Sequence, residues 1–279
     1  MTMAPPRSSP SFLYAALRIF DLSLGEMLWS KRTIFMGLVV GFPVLIAVIV
    51  RILFEAGAPS MRVNSAAVTG PTIFALMMWG FFIRFSIPVL GVFYGTSLIA
   101  DEIEDKTITY LFTRPIPRSA VLFGKYLAYL ACTIFVVLPS VVIVWLLVVP
   151  IGGSLAAGFL DLVKDLGLLA LGLAVYGAFF ALVGAKIKRP LLFGLLFVFG
   201  WETIVMAIPG YLKRLSVAYY VQGLVPHAMP GDSPVALVQS IFREIPSLSE
   251  SLFWMVAITI VCLWWAGRTV ANKEYVLEQ

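Results

Sequence analysis

Apolar runs of roughly membrane-spanning length recur along this chain, and few solvents suit such a run. In hydrocarbon every backbone N–H and C=O must be satisfied within the protein, so a run of about 20 apolar residues crosses as a helix. The runs fall at 33–54, 78–100, 122–149, 166–185, 191–208 and 250–266. The fifth is bounded by Pro190 and Pro209 and is short. The sixth is short too, and its Trp254, Trp264 and Trp265 suit a headgroup belt. Of 279 residues, 61% are hydrophobic and only 13% charged, against about 25% charged in soluble domains. The expected fold is therefore an all-α polytopic membrane protein, one transmembrane domain over 1–279 with six transmembrane helices.

The formal charge of +5 would point to nucleic acid in a soluble chain. Here the placement of Lys and Arg explains it, and no nucleic-acid partner is expected. With the N-terminus in the cytoplasm, Arg7, Arg18, Lys31, Arg32, Lys106, Arg114, Arg118, Lys125, Lys186, Lys188, Arg189, Arg268 and Lys273 all fall on the cytoplasmic side. That is most of the basic residues, so both termini are expected on the cytoplasmic side of the cell (inner) membrane. The opening "MTMAPPRSSP" lacks the apolar core of a cleaved signal, and the first span is expected to act as an uncleaved insertion signal.

Two segments outside the runs carry patterns of their own. In 11–30, Leu13, Leu17, Phe20, Leu24 and Met27 share one helical face, opposite Arg18, Asp21 and Gly25. Such a helix lies along the cytoplasmic interface, the alternative being an extension of the first span. The link 210–250 is too long and apolar for a plain connector. Ser233 and Pro234 suit an N-cap and first helical position, followed by the stripe Val235, Val238, Phe242 and Ile245. Two short re-entrant helices on the outer side are expected there, with a possible extracytoplasmic partner.

No catalytic or metal-ligating set assembles. The single histidine, His227, sits between prolines in the outer link. Cys132 and Cys262 lie in apolar runs without paired spacing. "FGKY" at 123–126 lacks the upstream glycine and the Ser or Thr of a phosphate-binding loop. No cofactor bound by this chain is expected. Two charges inside the spans stand out, because charge there is costly. Arg84 and Glu202 lie about 24 Å and about 18 Å from the cytoplasmic ends of their spans at ~1.5 Å per residue. They are either an intramembrane charge pair, or Arg84 snorkels to the outer headgroups. Pro88 leaves the Arg84 carbonyl without its helical donor, and a helix kink is expected. Gly177, Ala181 and Ala185 mark a close helix contact, within the chain or between copies.

The most polar interruption is "IADEIEDKTITYLFTRPIPRSAVLFGKYLA", 99–128. Acids come first, then a Thr-started helical stretch, two prolines, and Gly-Lys entering the next span. Glu102, Glu104, Lys106, Thr107, Ile108, Leu111, Phe112, Pro115, Arg118, Gly124 and Lys125 resemble the cytoplasmic loop of type-2 ATP-binding-cassette transporter permeases, with Lys106 at the family's usual glycine. The resemblance implies that 101–119 is a coupling helix docking on a separate ABC ATPase subunit, with Glu102, Glu104, Asp105, Lys106, Thr107, Arg114 and Arg118 as its contacts. It further implies two ATPase copies, which hold ATP and Mg, and a second copy of this chain.

The function so implied is the membrane permease subunit of an ATP-driven exporter, with no ATPase site of its own. The alternative is a membrane assembly or scaffold subunit that recruits a soluble ATPase or an outer-surface partner without translocating anything. A secondary transporter is disfavoured by the lack of inverted repeats and ion-coupling carboxylates. The apolar spans suit lipids, amphipathic peptides or hydrophobic drugs better than ions or sugars.

Overall fold

The computed structural model describes residues 11–57, 62–63, 66–67, 69–104, 117–208, 211–224 and 246–272. The chain opens with helix α1, Phe12–Leu28, and the first apolar run forms α2, Lys31–Glu55. Between them the backbone breaks at Trp29 and Ser30. The hydroxyls of Ser30 and Thr33 both donate to the Met27 carbonyl, satisfying an acceptor that the end of α1 leaves open. The N-terminal helix is thus separate from the first span. A minimal antiparallel pair, Arg62–Val63 (β1) with Ala66–Ala67 (β2), follows α2.

The second run is helix α3, whose helical residues run from Gly70 to Glu104 and whose candidate span is Gly70–Glu102. It begins upstream of the expected residue 78, because "GPTIFALM" is apolar and places Pro71 in the first turn, where a missing N–H costs nothing. Within α3, Met78–Ser86 and Gly91–Gly95 are π-helical, flanking an α-helical turn at Ile87–Leu90 that contains Pro88. The Ile87 N–H donates to Phe82 O, five residues back. Widened turns of this kind re-register the ladder around a proline that cannot donate.

Helix α4 spans Arg118–Val148 and α5 spans Leu155–Lys186. The start of α5 precedes the expected residue 166, since Asp161, Lys164 and Asp165 dilute its hydropathy. Asp161 and Lys164 pair at 2.9 Å on the exposed side of that extension. The fifth run is the shorter helix α6, Pro190–Met206, with π-helical turns at Leu196–Trp201. A 3-10 turn, Tyr211–Leu215, leads into α7, Val217–Gly223, where the Ser216 side chain caps the Ala218 N–H at 3.2 Å. Helix α8, Leu248–Asn272, is longer than its apolar run. Among the described residues, five helices (α2, α3, α4, α5 and α8) are long and apolar enough to cross a membrane. The protein is an all-α polytopic membrane protein.

Helices α3 and α5 form the centre. In each, 61% of the most apolar window is buried, against 28% in α2 and 22% in α8, which therefore face lipid or another chain. Tyrosine hydroxyls knit α4 to α5: Tyr126 donates to Ala174 O at 2.9 Å and Tyr129 to Leu173 O at 3.0 Å. Inside a membrane such hydroxyls need these acceptors. Gly177 lies against the Tyr129 ring, where any Cβ would clash, and Ala181 and Ala185 are fully buried. The small-residue stripe is thus a seam within the chain. At one end of α8, Trp265 stacks under the Lys186 ammonium at 3.9 Å and Trp264 under Arg268 at 5.4 Å. Trp254, near the other end, faces Tyr220 at 6.2 Å.

Candidate functional site

Two places combine polarity with the centre of the fold, the charged end of α3 and a cavity beside its π-helical stretch.

At the charged end, the first two acids of the polar interruption are used within the chain. Asp101 pairs with Arg32 at the start of α2 at 2.5 Å, with both side chains partly exposed. Glu102 pairs with Lys125 of α4, and these side chains retain only 18% and 12% exposure. Two neighbouring carboxylates thus tie the end of α3 to α2 on one side and to α4 on the other. Glu102, expected to face a partner, forms a brace in its own bundle. Glu104 ends the helix, and Arg118 is exposed in the first turn of α4. Asp105, Lys106, Thr107 and Arg114 lie outside the described residues, as does the helix expected around them.

Next to Lys125, Gly124 is the point where α1 rests on α4. A Cβ at Gly124 would stand 2.6 Å from the Ala16 carbonyl and 2.8 Å from Ile19 Cβ. Ala15, Ala16 and Ala120 make a small buried cluster there, and Phe12 meets Phe123 edge-on at 5.8 Å. The Gly-Lys pair therefore does two jobs, admitting α1 with one residue and holding α3 with the other. Reading the loop as a docking element passed over this contact, although Ala15 and Ala16 on one side of α1 were a usable signal for it. The leucine face of α1 splits: Leu24 and Met27 pack against the core, while Leu13 and Leu17 are 72% and 57% exposed. In water those side chains would be costly; against lipid they are not.

The cavity, of about 250 Å³, lies among α3, α5, α6 and α7. Arg84 and Glu202 both line it. Their meeting is not a direct ion pair. Glu202, 3% exposed, accepts from the Tyr176 hydroxyl at 2.7 Å, the Ala218 N–H at 3.3 Å and the Ser216 hydroxyl at 3.4 Å. Arg84 makes no ion pair or hydrogen bond among the described residues and acts on the carboxylate only through its longer-range field. Counting residues along the spans brought the two charges to one region. It did not find Tyr176 and Ser216, since nothing in an apolar run marks which hydroxyl will face a carboxylate. Pro88 lines the same space, so the altered stretch of α3 forms one cavity wall.

Cys132 and Cys262 are buried free thiols. His227 and most of the 210–250 link lie outside the described residues.

Residues 14–266 match the family described as ABC-2 family transporter protein. No curated protein matches the chain.

Proposed function

This chain belongs to the ABC-2 transporter family, and we propose that within it the chain is an exporter permease working as a pair with a second copy. As a permease of an ABC transporter it sits in a membrane and has an ABC ATPase partner. In the proposed assembly two ATPase subunits bind ATP and Mg, and each docks on the 101–119 loop of one permease copy. Helix α6 crosses as well, as the fifth of six spans, both termini face the cytoplasm at the cell (inner) membrane, and α1 lies along that face with Leu13 and Leu17 in lipid.

The observation that carries the coupling reading is the bracing of α3 just before the loop. A docked helix moves a transmembrane bundle only where its root is firmly joined to the spans. Here the Arg32–Asp101 and Lys125–Glu102 pairs join that root to α2 and α4. Glu102 therefore transmits, while Lys106, Arg114 and Arg118 supply the directional charge toward the ATPase. Nucleotide-driven closure of the ATPases would tilt this root and, through it, the most buried helix pair, α3 and α5.

The test is affinity purification of the full chain from its native membrane, with Lys106, Arg114 and Arg118 as found or reversed to Glu. An ATPase that accompanies the wild type and is lost from the reversed chain supports the proposal. Equal retention by both overturns the loop assignment, and no ATPase in either sample favours the scaffold role.

A further inference from the structure

The cavity beside α3 holds a guanidinium that no described acceptor engages. Arg84 carries five N–H donors, none of them taken up by a described residue, and Gln222 and Thr203 line the same space. Glu202 makes no direct bond to Arg84; its carboxylate is held by Tyr176, Ser216 and Ala218 and feels the guanidinium only through its longer-range field. A guanidinium left in this state within a membrane protein is costly, and an anion beside it offsets the cost.

Size and shape narrow the anion. At about 250 Å³ the cavity falls short of the ~300–1,000 Å³ that encloses a drug-sized ligand. A space of that size suits a headgroup rather than a whole amphiphile. The way out is apolar: Phe85 and Phe199, 40% and 52% exposed with ring centroids 6.4 Å apart, line the cavity and also face outward between α3 and α6. Gly80, on the same wall, has open space where a Cβ would stand.

We propose that this cavity is the headgroup site of an anionic amphiphile, with Arg84 pairing to its carboxylate or phosphate and its tail leaving past Phe85 and Phe199. That the amphiphile is cargo rests on the permease reading above; that it binds does not.

The test uses the full chain in phosphatidylcholine nanodiscs without ATPase or nucleotide, photolabelled with a diazirine-bearing palmitic acid or its methyl ester. The acid labels peptides containing Trp79–Pro88 and Val198–Thr203 about tenfold more than the ester, the size of one lost charge-assisted hydrogen bond. Arg84→Gln brings the acid down to the ester's level, and Arg84→Lys keeps most of the labelling. Gly80→Phe, which fills the space and leaves Arg84 in place, also removes it, so the result does not depend on one variant folding. Phosphatidylglycerol competes and excess inorganic phosphate does not. Equal labelling by acid and ester, or undiminished labelling in both Arg84→Gln and Gly80→Phe, overturns the site. Displacement by inorganic phosphate overturns the amphiphile and leaves a site for small anions. Charge-selective labelling without ATP-driven transport in vesicles holding the ATPase would sink the permease reading and spare the site. Transport with acid and ester labelling alike would do the reverse.

Discussion

Replacing Lys125 by Met removes the ammonium that pairs with the Glu102 carboxylate, which stands at 18% exposure. An exposed ion pair contributes about 0–1 kcal/mol, whereas removing one partner from a buried pair costs about 3–5 kcal/mol. This pair keeps less than a fifth of its exposure on either side, so the single change should cost about 2 kcal/mol. Glu102→Gln, which strands the ammonium, should cost a similar amount. The double replacement removes both charges and should cost little more than either single, giving a coupling energy of about 2 kcal/mol, within the range seen for contacting residues. The assay is equilibrium unfolding in mixed detergent micelles for the wild type, both singles and the double. Additive singles would refute the brace. So would a Glu102→Gln chain of unchanged stability that has lost its ATPase, because then Glu102 docks and does not hold.

Gly124→Leu pushes a side chain into Ala16 and Ile19, and overpacking of this kind costs about 1–3 kcal/mol. It should lower the midpoint of unfolding in mixed micelles by a corresponding amount, and an unchanged midpoint would refute the contact. Glu202→Ala leaves the Tyr176 and Ser216 hydroxyls without their shared acceptor, while the Ala218 N–H keeps Ser216 Oγ. At about 1–3 kcal/mol for each buried group left unsatisfied, it should destabilise far more than Tyr176→Phe, as the midpoint of micellar unfolding would report. Arg51→Ala breaks the exposed Arg51–Glu55 pair at 2.7 Å and should change stability by no more than about 0.5 kcal/mol.

The elements were legible where one solvent dictates them. Runs such as 33–54 and 122–149 became α2 and α4 nearly residue for residue, because hydrocarbon tolerates no other conformation for an isolated apolar segment. Less legible were the starts of α3 and α5, where an amphipathic or proline-led turn extends a span beyond its greasy part. The π-helical turns of α3 carry no periodicity of their own, and only Pro88 hinted at them. In the cavity, Arg84 and Glu202 were visible because charge is rare inside a span, whereas Tyr176 was one aromatic among many. The brace was hidden for a different reason. Glu102 and Lys125 both sit in the segment that resembles a docking loop, and a sequence motif does not say whether a charge faces a partner or its own bundle.

The central claim is a paired permease whose loop root moves when its ATPase binds nucleotide. Trp29, 93% exposed at the break between α1 and α2, takes a cysteine and spin label without disturbing the core. It sits close in sequence to Arg32, which holds the end of α3. The decisive measurement is the label-to-label distance between two copies of Trp29→Cys in the purified complex with its ATPase, with and without trapped ATP. The account predicts one well-defined distance between two copies, shifting when ATP is trapped. No interspin distance, or one that ATP leaves unchanged, would contradict it.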